Sequence, residues 1–299
     1  MATLLGAAEI REIAARIGVN PTKKLGQNFV VDANTCRRIV KIADVQPNDV
    51  ALEIGPGLGS LTLAMLEIAS KVIAIEIDDR LAAQLPITVA DHGFIPENLL
   101  VINEDAMTTV SVPISPTVLV ANLPYNISVP VLLHFLEKFP TIRSGVVMVQ
   151  SEVADRLVAK PGTKNYGSPS VKATWWADLT SAGTVGRSIF WPVPNVDSSL
   201  VRFIRHEPAG DEELRKLTFS IIDAAFAQRR KMLRSALSEL FKSASYPNDP
   251  NDPNQPNKPN QPNQNSAEAS IAMAGVDPTI RGEALLLNDF MKIANTLAT

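Results

Sequence analysis

Val50-Ala-Leu-Glu53-Ile-Gly55-Pro56-Gly57-Leu58-Gly59-Ser60 is a short apolar run followed by three glycines at alternate positions. The run has the β-branched and aliphatic character of a buried strand. Glycines there allow a tight turn and let a ligand approach the backbone without meeting a Cβ. A helical pattern begins at about Ser60, so the order is strand, glycine loop, helix. The loop departs from a dinucleotide fingerprint, which wants its last glycine at position 60, where Ser stands. Pro56 also lacks the N–H that would face a phosphate. Taken alone, the loop also reads as an ordinary glycine turn.

Strand-like runs recur at 71–77, 99–103, 117–121 and 145–150, with helical patterns between most of them. Such β-α alternation predicts a mostly parallel sheet covered on both faces. Two further runs, 179–185 and 198–204, lie close together and are expected to form an antiparallel edge. Upstream, Ile10, Ile13, Ala14 and Ile17 recur at helical spacing and Gly18 is placed to cap that helix. A second helix opens at Asp32, an N-cap residue. After Asp211 the periodicity is helical to the end, apart from 247–264, where Pro-Asn-x repeats six times. Proline at every third position favours an extended coil rising about 3.1 Å per residue, the property of a spacer. The expected division is an α/β domain over 1–205 and a smaller helical domain over 206–299, interrupted by that spacer.

Glu76 ends the next strand run, 21 positions after Gly55. A carboxylate there can accept from both hydroxyls of a ribose lying across the strand ends. Asp105 follows the third run and can accept from an exocyclic adenine amine. Singly, each acid also reads as a solvated loop residue; in series after successive strands they outline a nucleoside pocket. The fourth run delivers Asn122-Leu123-Pro124-Tyr125-Asn126 at its carboxyl end. The amine of adenine is a poor nucleophile because its lone pair is delocalised into the ring. An Asn side-chain oxygen and a neighbouring main-chain carbonyl can accept its two hydrogens and turn the lone pair outward. Pro124 restricts Leu123, which steadies that carbonyl, and Tyr125 offers a ring for base stacking. A proline turn with a core tyrosine accounts for Pro124 and Tyr125 but not for Asn122.

Five segments, in order, carry a resemblance: Lys24-Leu-Gly-Gln-Asn28-Phe-Val30, Glu53-Ile-Gly-Pro-Gly-Leu-Gly59, Asn122-Leu-Pro-Tyr-Asn-Ile-Ser128, Phe190-Trp-Pro-Val-Pro-Asn-Val-Asp-Ser198 and Phe226-Ala-Gln-Arg-Arg-Lys-Met-Leu233. Together they resemble the ribosomal RNA adenine N6,N6-dimethyltransferases, in particular the bacterial small-subunit branch whose loss gives kasugamycin resistance. The resemblance implies a Rossmann-like methyltransferase domain with a smaller C-terminal helical domain. It implies S-adenosylmethionine as methyl donor and, as substrate, two adjacent adenines near the 3′ end of 16S ribosomal RNA in a small-subunit particle. Carried over by position, Asn28 and the Val30 backbone would contact the donor, and Gly55 would approach its methionine part. Glu76 would hold its ribose and Asp105 its adenine amine. Asn122, counted with both donor and target, and the Leu123 carbonyl would accept from the target amine, with Tyr125 on one face of the base and Phe190 on the other. Without the resemblance Phe190 reads as a core residue beside Trp191. Many members have Leu where Val30 stands, and relatives have a shorter connection where 247–264 lies.

The 299 residues are 45% apolar and 20% charged, which excludes collagenous, mucin-like and wholly disordered chains. With 28 Lys and Arg against 31 Asp and Glu, any polyanion must meet a local basic patch. Cations concentrate at Lys23, Lys24, Arg37 and Arg38, and at Arg229, Arg230, Lys231 and Arg234. Solvated faces are the ordinary reading of such runs; on an acidic chain they are also the candidates for RNA phosphate contacts. Cys36 alone closes no internal disulfide, and His92, His134 and His206 lie too far apart for a metal site, so no metal is expected. Neither a signal peptide nor an apolar window of membrane-span length is evident. The expectation is a soluble, cytoplasmic monomer with no membrane partner. Two other readings share some features: a large-subunit adenine methylase of macrolide-resistance type, and a non-catalytic RNA-binding assembly factor that keeps the fold. Glu76, Asp105, Asn122 and Tyr125 argue against the second.

Overall fold

The computed structural model describes residues 3–21, 27–245 and 267–297. Lys23, Lys24 and the Pro-Asn-x stretch 247–264 lie outside the described residues. Two compact units emerge, one of residues 1–158 with 176–207 and the other of 159–175 with 208–299.

In the first unit, helix α1 (Ala7–Arg16) buries Ile10, Ile13 and Ala14. It ends as anticipated, with Ile17 closing the last turn and Gly18 in the left-handed region. Strand β1 (Phe29–Val30) precedes α2 (Ala33–Ile42), which is capped by Asp32 accepting from the Thr35 amide. Then follow β2 (Val50–Ile54), α3 (Ser60–Leu66), β3 (Lys71–Ile75), α4 (Asp79–Asp91), β4 (Leu99–Ile102), β5 (Val118–Asn122), α5 (Ser128–Lys138), β6 (Ser144–Gln150) and α6 (Ser151–Leu157). After α7 (Ser168–Ala173), which belongs to the second unit, come β7 (Ala177–Val185), β8 (Phe190–Trp191) and β9 (Ser198–Arg205).

The seven-stranded sheet runs β4-β3-β2-β5-β6-β9-β7. Its first five strands are parallel; β9 is antiparallel to both β6 and β7, the expected edge pair. From β2 the chain winds outward through β3 to β4, then crosses back to place β5 on the other side of β2. The carboxyl ends of β2 and β5 therefore flank the point where the winding reverses, and a crevice opens there in sheets of this kind. Apolar faces cover both sides. Cys36, Ile39 and Val40 of α2 pack with Ala64 and Met65 of α3 and Val118 and Val120 of β5, while Ile10 and Ile13 of α1 pack with Leu63, Leu81 and Val89. Continuous burial of β2, β3 and β5 matches strands covered on both faces.

A second, two-stranded sheet was not anticipated. β1 and β8 pair antiparallel, Phe29 opposite Trp191 and Val30 opposite Phe190. The Phe29 and Trp191 rings stack 6.1 Å apart.

The second unit comprises α7, α8 (Glu212–Ala227), α9 (Leu233–Ala236), α10 (Ser238–Ser245), α11 (Ala267–Met273) and α12 (Leu287–Asn295). Asp211 caps α8 by accepting from the Leu214 amide. Its core gathers Ile221, Ile222, Phe241, Ile271, Phe290 and Ile293 together with Tyr166 and Val171. The Tyr166 hydroxyl donates to the Leu285 carbonyl at 2.7 Å, so residues 159–175 fold with the C-terminal helices rather than with the sheet that precedes them in sequence. Among the described residues no helix is long and apolar enough to cross a membrane.

Candidate active site

The glycine loop after β2 is held open by its own backbone. Gly55, Gly57 and Gly59 all have positive φ, at 66°, 58° and 102°. A Cβ on Gly55 would meet no atom within 4 Å, so the backbone there lies bare to open space. At Gly57 the constraint is different, because a Cβ would lie 2.8 Å from the Phe29 ring of β1. The Gly55 amide donates to the Ile75 carbonyl and the Gly59 amide to the Pro56 carbonyl, which close the turn.

Around this loop a cleft of about 910 Å³, including its open mouth, forms at the carboxyl ends of β2, β3, β4 and β5. Asn28, Val30, Gly55, Glu76, Asp105 and Asn122 all line it, as does Pro124. Residues picked from five separate stretches of sequence thus meet at one place. Ile54, Leu58, Ile75, Leu81 and Ala106 supply apolar wall.

Glu76 is buried, and both of its carboxylate oxygens are already oriented. One accepts from the Gly57 amide at 3.1 Å and the other from the Asp78 amide at 3.0 Å. Each oxygen keeps a further lone pair. Burial raises the Glu76 pKa, opposed by these backbone donors. Asn103 donates from Nδ2 to the Glu76 carbonyl at 2.8 Å and fixes the main chain there. Asp105 is exposed and accepts from the Met107 amide through Oδ1. Val30 turns its carbonyl to the Ser60 hydroxyl, 2.6 Å away, so only part of its acceptor capacity remains.

At the end of β5 the Asn122 Nδ2 donates to the Asn28 carbonyl at 3.0 Å. That bond sets the amide orientation and leaves Oδ1 as an acceptor. Leu123 is buried, and its amide donates to the Met148 carbonyl, which anchors the residue against β6. Tyr125 lines an adjoining cavity together with Asn28, Gln150, Pro192 and Pro194. Its hydroxyl is hydrogen bonded to that of Ser198 at 2.8 Å, which holds the ring in place, and burial raises its pKa.

Phe190 is a correction. It is 2% exposed, lies in the apolar core with Val30, Cys36 and Ile39, and lines neither cavity. Adjacent residues of a strand point to opposite faces, and β8 sends Phe190 inward. The basic clusters also differ from expectation. Arg37 is paired with Glu67 at 2.6 Å, Arg229 with Glu283 at 2.7 Å and Arg234 with Glu268 at 2.8 Å. Arg229 also donates to the Lys164 carbonyl, and Arg38 to that of Thr184. Arg230 and Lys231 are exposed, with no partner among the described residues.

Two residues with parts in this arrangement were not singled out from sequence. Gln150 lines the second cavity from the end of β6, next to the strand that carries Asn122. Glu53, quoted only as part of the glycine motif, lines the first cleft and is buried, accepting from the Thr62 hydroxyl at 2.5 Å. A strand-end position was the available signal for both.

The model of the family described as ribosomal RNA adenine dimethylase matches residues 18–252. Similar proteins include ribosomal RNA small subunit methyltransferase A of Leifsonia xyli subsp. xyli, 55% identical over 97% of this chain and 98% of that protein. Another protein of that name, from Streptomyces griseus subsp. griseus, is 53% identical over 97% of this chain and 94% of the relative. Among solved structures, a dimethyladenosine transferase from Plasmodium falciparum superposes with a TM-score of 0.69 at 26% identity, covering 89% of this chain and 95% of that one. The 23S rRNA methyltransferase ErmE superposes at 0.62 and 26% identity, covering 91% and 100%. With the family match spanning most of the chain and full-length relatives above half identity, the chain belongs to the ribosomal RNA adenine dimethylase family.

Proposed function

We propose that the protein transfers methyl groups from S-adenosylmethionine to the N6 amines of adenines in small-subunit ribosomal RNA, two per base, at two adjacent adenines near the 3′ end. The observation that carries this reading is the Asn122 amide, pinned by the Asn28 carbonyl at 3.0 Å so that its oxygen remains an acceptor at the lip of the cleft.

The cleft fits such a donor. Bare backbone at Gly55 accommodates its methionine part, with Asn28 and Val30 alongside. Glu76 offers one further lone pair on each oxygen to the two ribose hydroxyls, and Asp105 keeps Oδ2 for the adenine amine. When bound, S-adenosylmethionine supplies a sulfonium-activated methyl carbon. The chain's own part is positioning and polarisation. Asn122 Oδ1 and the Leu123 carbonyl each accept one N6 hydrogen, which draws the nitrogen toward tetrahedral geometry and turns its lone pair outward. Tyr125, steadied by Ser198, stacks on one face of the base. After the first transfer one N–H remains, so a single acceptor suffices for the second. The proton leaves to water. The reading extends to a cytoplasmic monomer acting on a small-subunit particle.

Asn122→Ala should abolish methylation while changing donor affinity less than about threefold, because the ribose and adenine contacts remain. Mass spectrometry of both ribosomal RNAs incubated with labelled donor tests the substrate. Dimethyladenine confined to the small-subunit RNA is expected. Label in large-subunit RNA, or none, overturns the proposal.

A further inference from the structure

The donor cleft is lined by Glu53, Glu76, Glu104 and Asp105, and among the described residues no basic side chain lines it. Three of these acids have evident uses or face solvent. Glu53 does not fit that pattern. It is 2% exposed, and its carboxyl has as neighbours the Thr62 hydroxyl of α3, Glu76 beyond β3 and the buried thiol of Cys36 on α2. None of these is a cation. Arg37, the cation closest along α2, is turned to Glu67. A carboxyl buried without a counter-charge and beside a second carboxyl is costly to ionise. Its pKa is pushed up to about 8, chiefly by burial, with Glu76 adding to the effect and Thr62 opposing it.

A ligand that brings positive charge into the cleft changes that balance. The methyl donor carries a sulfonium, an ammonium and a carboxylate, net +1; the demethylated product has a thioether and is net neutral. We propose that Glu53 is the residue that makes the cleft prefer the charged donor over its neutral product, by giving up its proton when donor binds and regaining it when product takes the donor's place. The step balances as protonated Glu53 plus donor giving ionised Glu53 with bound donor and one proton released to buffer. Product exchange reverses it, so the spent cofactor loses an attraction that the fresh one has. The ribose partner of Glu76 is common to both ligands, so the part of its pH effect that comes from those hydroxyls cancels in their ratio. The inference rests on the cofactor reading above.

The experiment is calorimetric titration of the full-length protein with S-adenosylmethionine, S-adenosylhomocysteine and sinefungin, whose amine replaces the sulfonium by another cation. Runs at pH 6.5 in buffers of different ionisation heat count the protons exchanged. Donor and sinefungin should release close to one proton more than S-adenosylhomocysteine, and the ratio of donor to product affinity should rise about tenfold per pH unit between pH 6 and 7. Glu53→Gln should abolish both effects. Thr62→Val, which removes only the hydrogen bond favouring the ionised form, should move the rise to higher pH and serves also if the Gln variant fails to fold. Equal proton release by donor and product, or a pH-dependent ratio that survives in the variants unchanged, overturns the inference while leaving the cofactor reading intact. Failure of all three ligands to bind at any pH would instead remove the cofactor reading and this inference with it.

Discussion

Glu76 is a single carboxylate oriented before any ligand arrives. Its two oxygens are fixed by the Gly57 and Asp78 amides, so on the proposed reading a ribose need not pay for ordering the side chain. Glu76→Gln replaces one acceptor with an amide NH2 that faces a backbone N–H. The loss of a charge-assisted hydrogen bond and the new donor-donor contact should raise the donor Kd about 10- to 100-fold. Burial raises the pKa of this acid, and a hydroxyl that donates to it favours the ionised form. The bound complex therefore holds the proton less tightly than the empty cleft. Affinity for S-adenosylhomocysteine, which shares the ribose but brings no net charge to Glu53, should fall as pH drops through the raised pKa of the empty site and level off above it. Calorimetry across pH checks this, with the acid limb absent in the Gln variant. An affinity independent of pH in the wild-type protein would contradict the assignment.

The β1–β8 ribbon is the element that joins the loop before α2 to the active centre. It carries Phe29 against both Trp191 and the face of Gly57, and the neighbouring Asn28 carbonyl orients Asn122. Trp191→Ala removes the ring stack, worth about 0.5–1.5 kcal/mol beyond lost area. The expected result is a small fall in thermal stability with a several-fold rise in donor Kd and a larger fall in methyl transfer. Unchanged transfer would show that the ribbon does not hold Asn122. Strands two residues long have no periodicity to read, which is why this sheet escaped the sequence; Phe190 was expected at the base because the resemblance implied it, whereas without the resemblance it reads as core, where it lies. The parallel strands were legible because each is a continuous apolar run. Glu76, Asp105 and Asn122 could be found because each lies at or just past the carboxyl end of one. The ion pairs were not legible, since Arg37, Arg229 and Arg234 find carboxylates 30, 54 and 34 positions away. The same holds for residues 159–175, which join the C-terminal helices through contacts remote in sequence.

Across the whole molecule the charges are sorted by task. A chain of net charge −3 lines its donor cleft with acids, which suits a cationic cofactor, yet it must still bring a polyanion to the same edge of the sheet. Cations already engaged by carboxylates contribute little field at a distance, so the pairs formed by Arg37, Arg229 and Arg234 narrow the candidates for phosphate contact. Arg230 and Lys231 are exposed with no partner among the described residues, and they carry the sharper prediction. Replacing both by Ala should weaken RNA binding and lower the slope of log K against log salt by about 1–2, roughly one released counterion per lost contact. Donor affinity and thermal stability should stay at wild-type values, because neither side chain is packed. Arg229→Ala, by contrast, should destabilise the helical unit through the loss of its bonds to Glu283 and the Lys164 carbonyl, whatever it does to RNA. Filter binding over a salt series separates these outcomes. A salt slope unaltered by the Arg230, Lys231 double substitution would move the phosphate-binding surface away from the turn after α8.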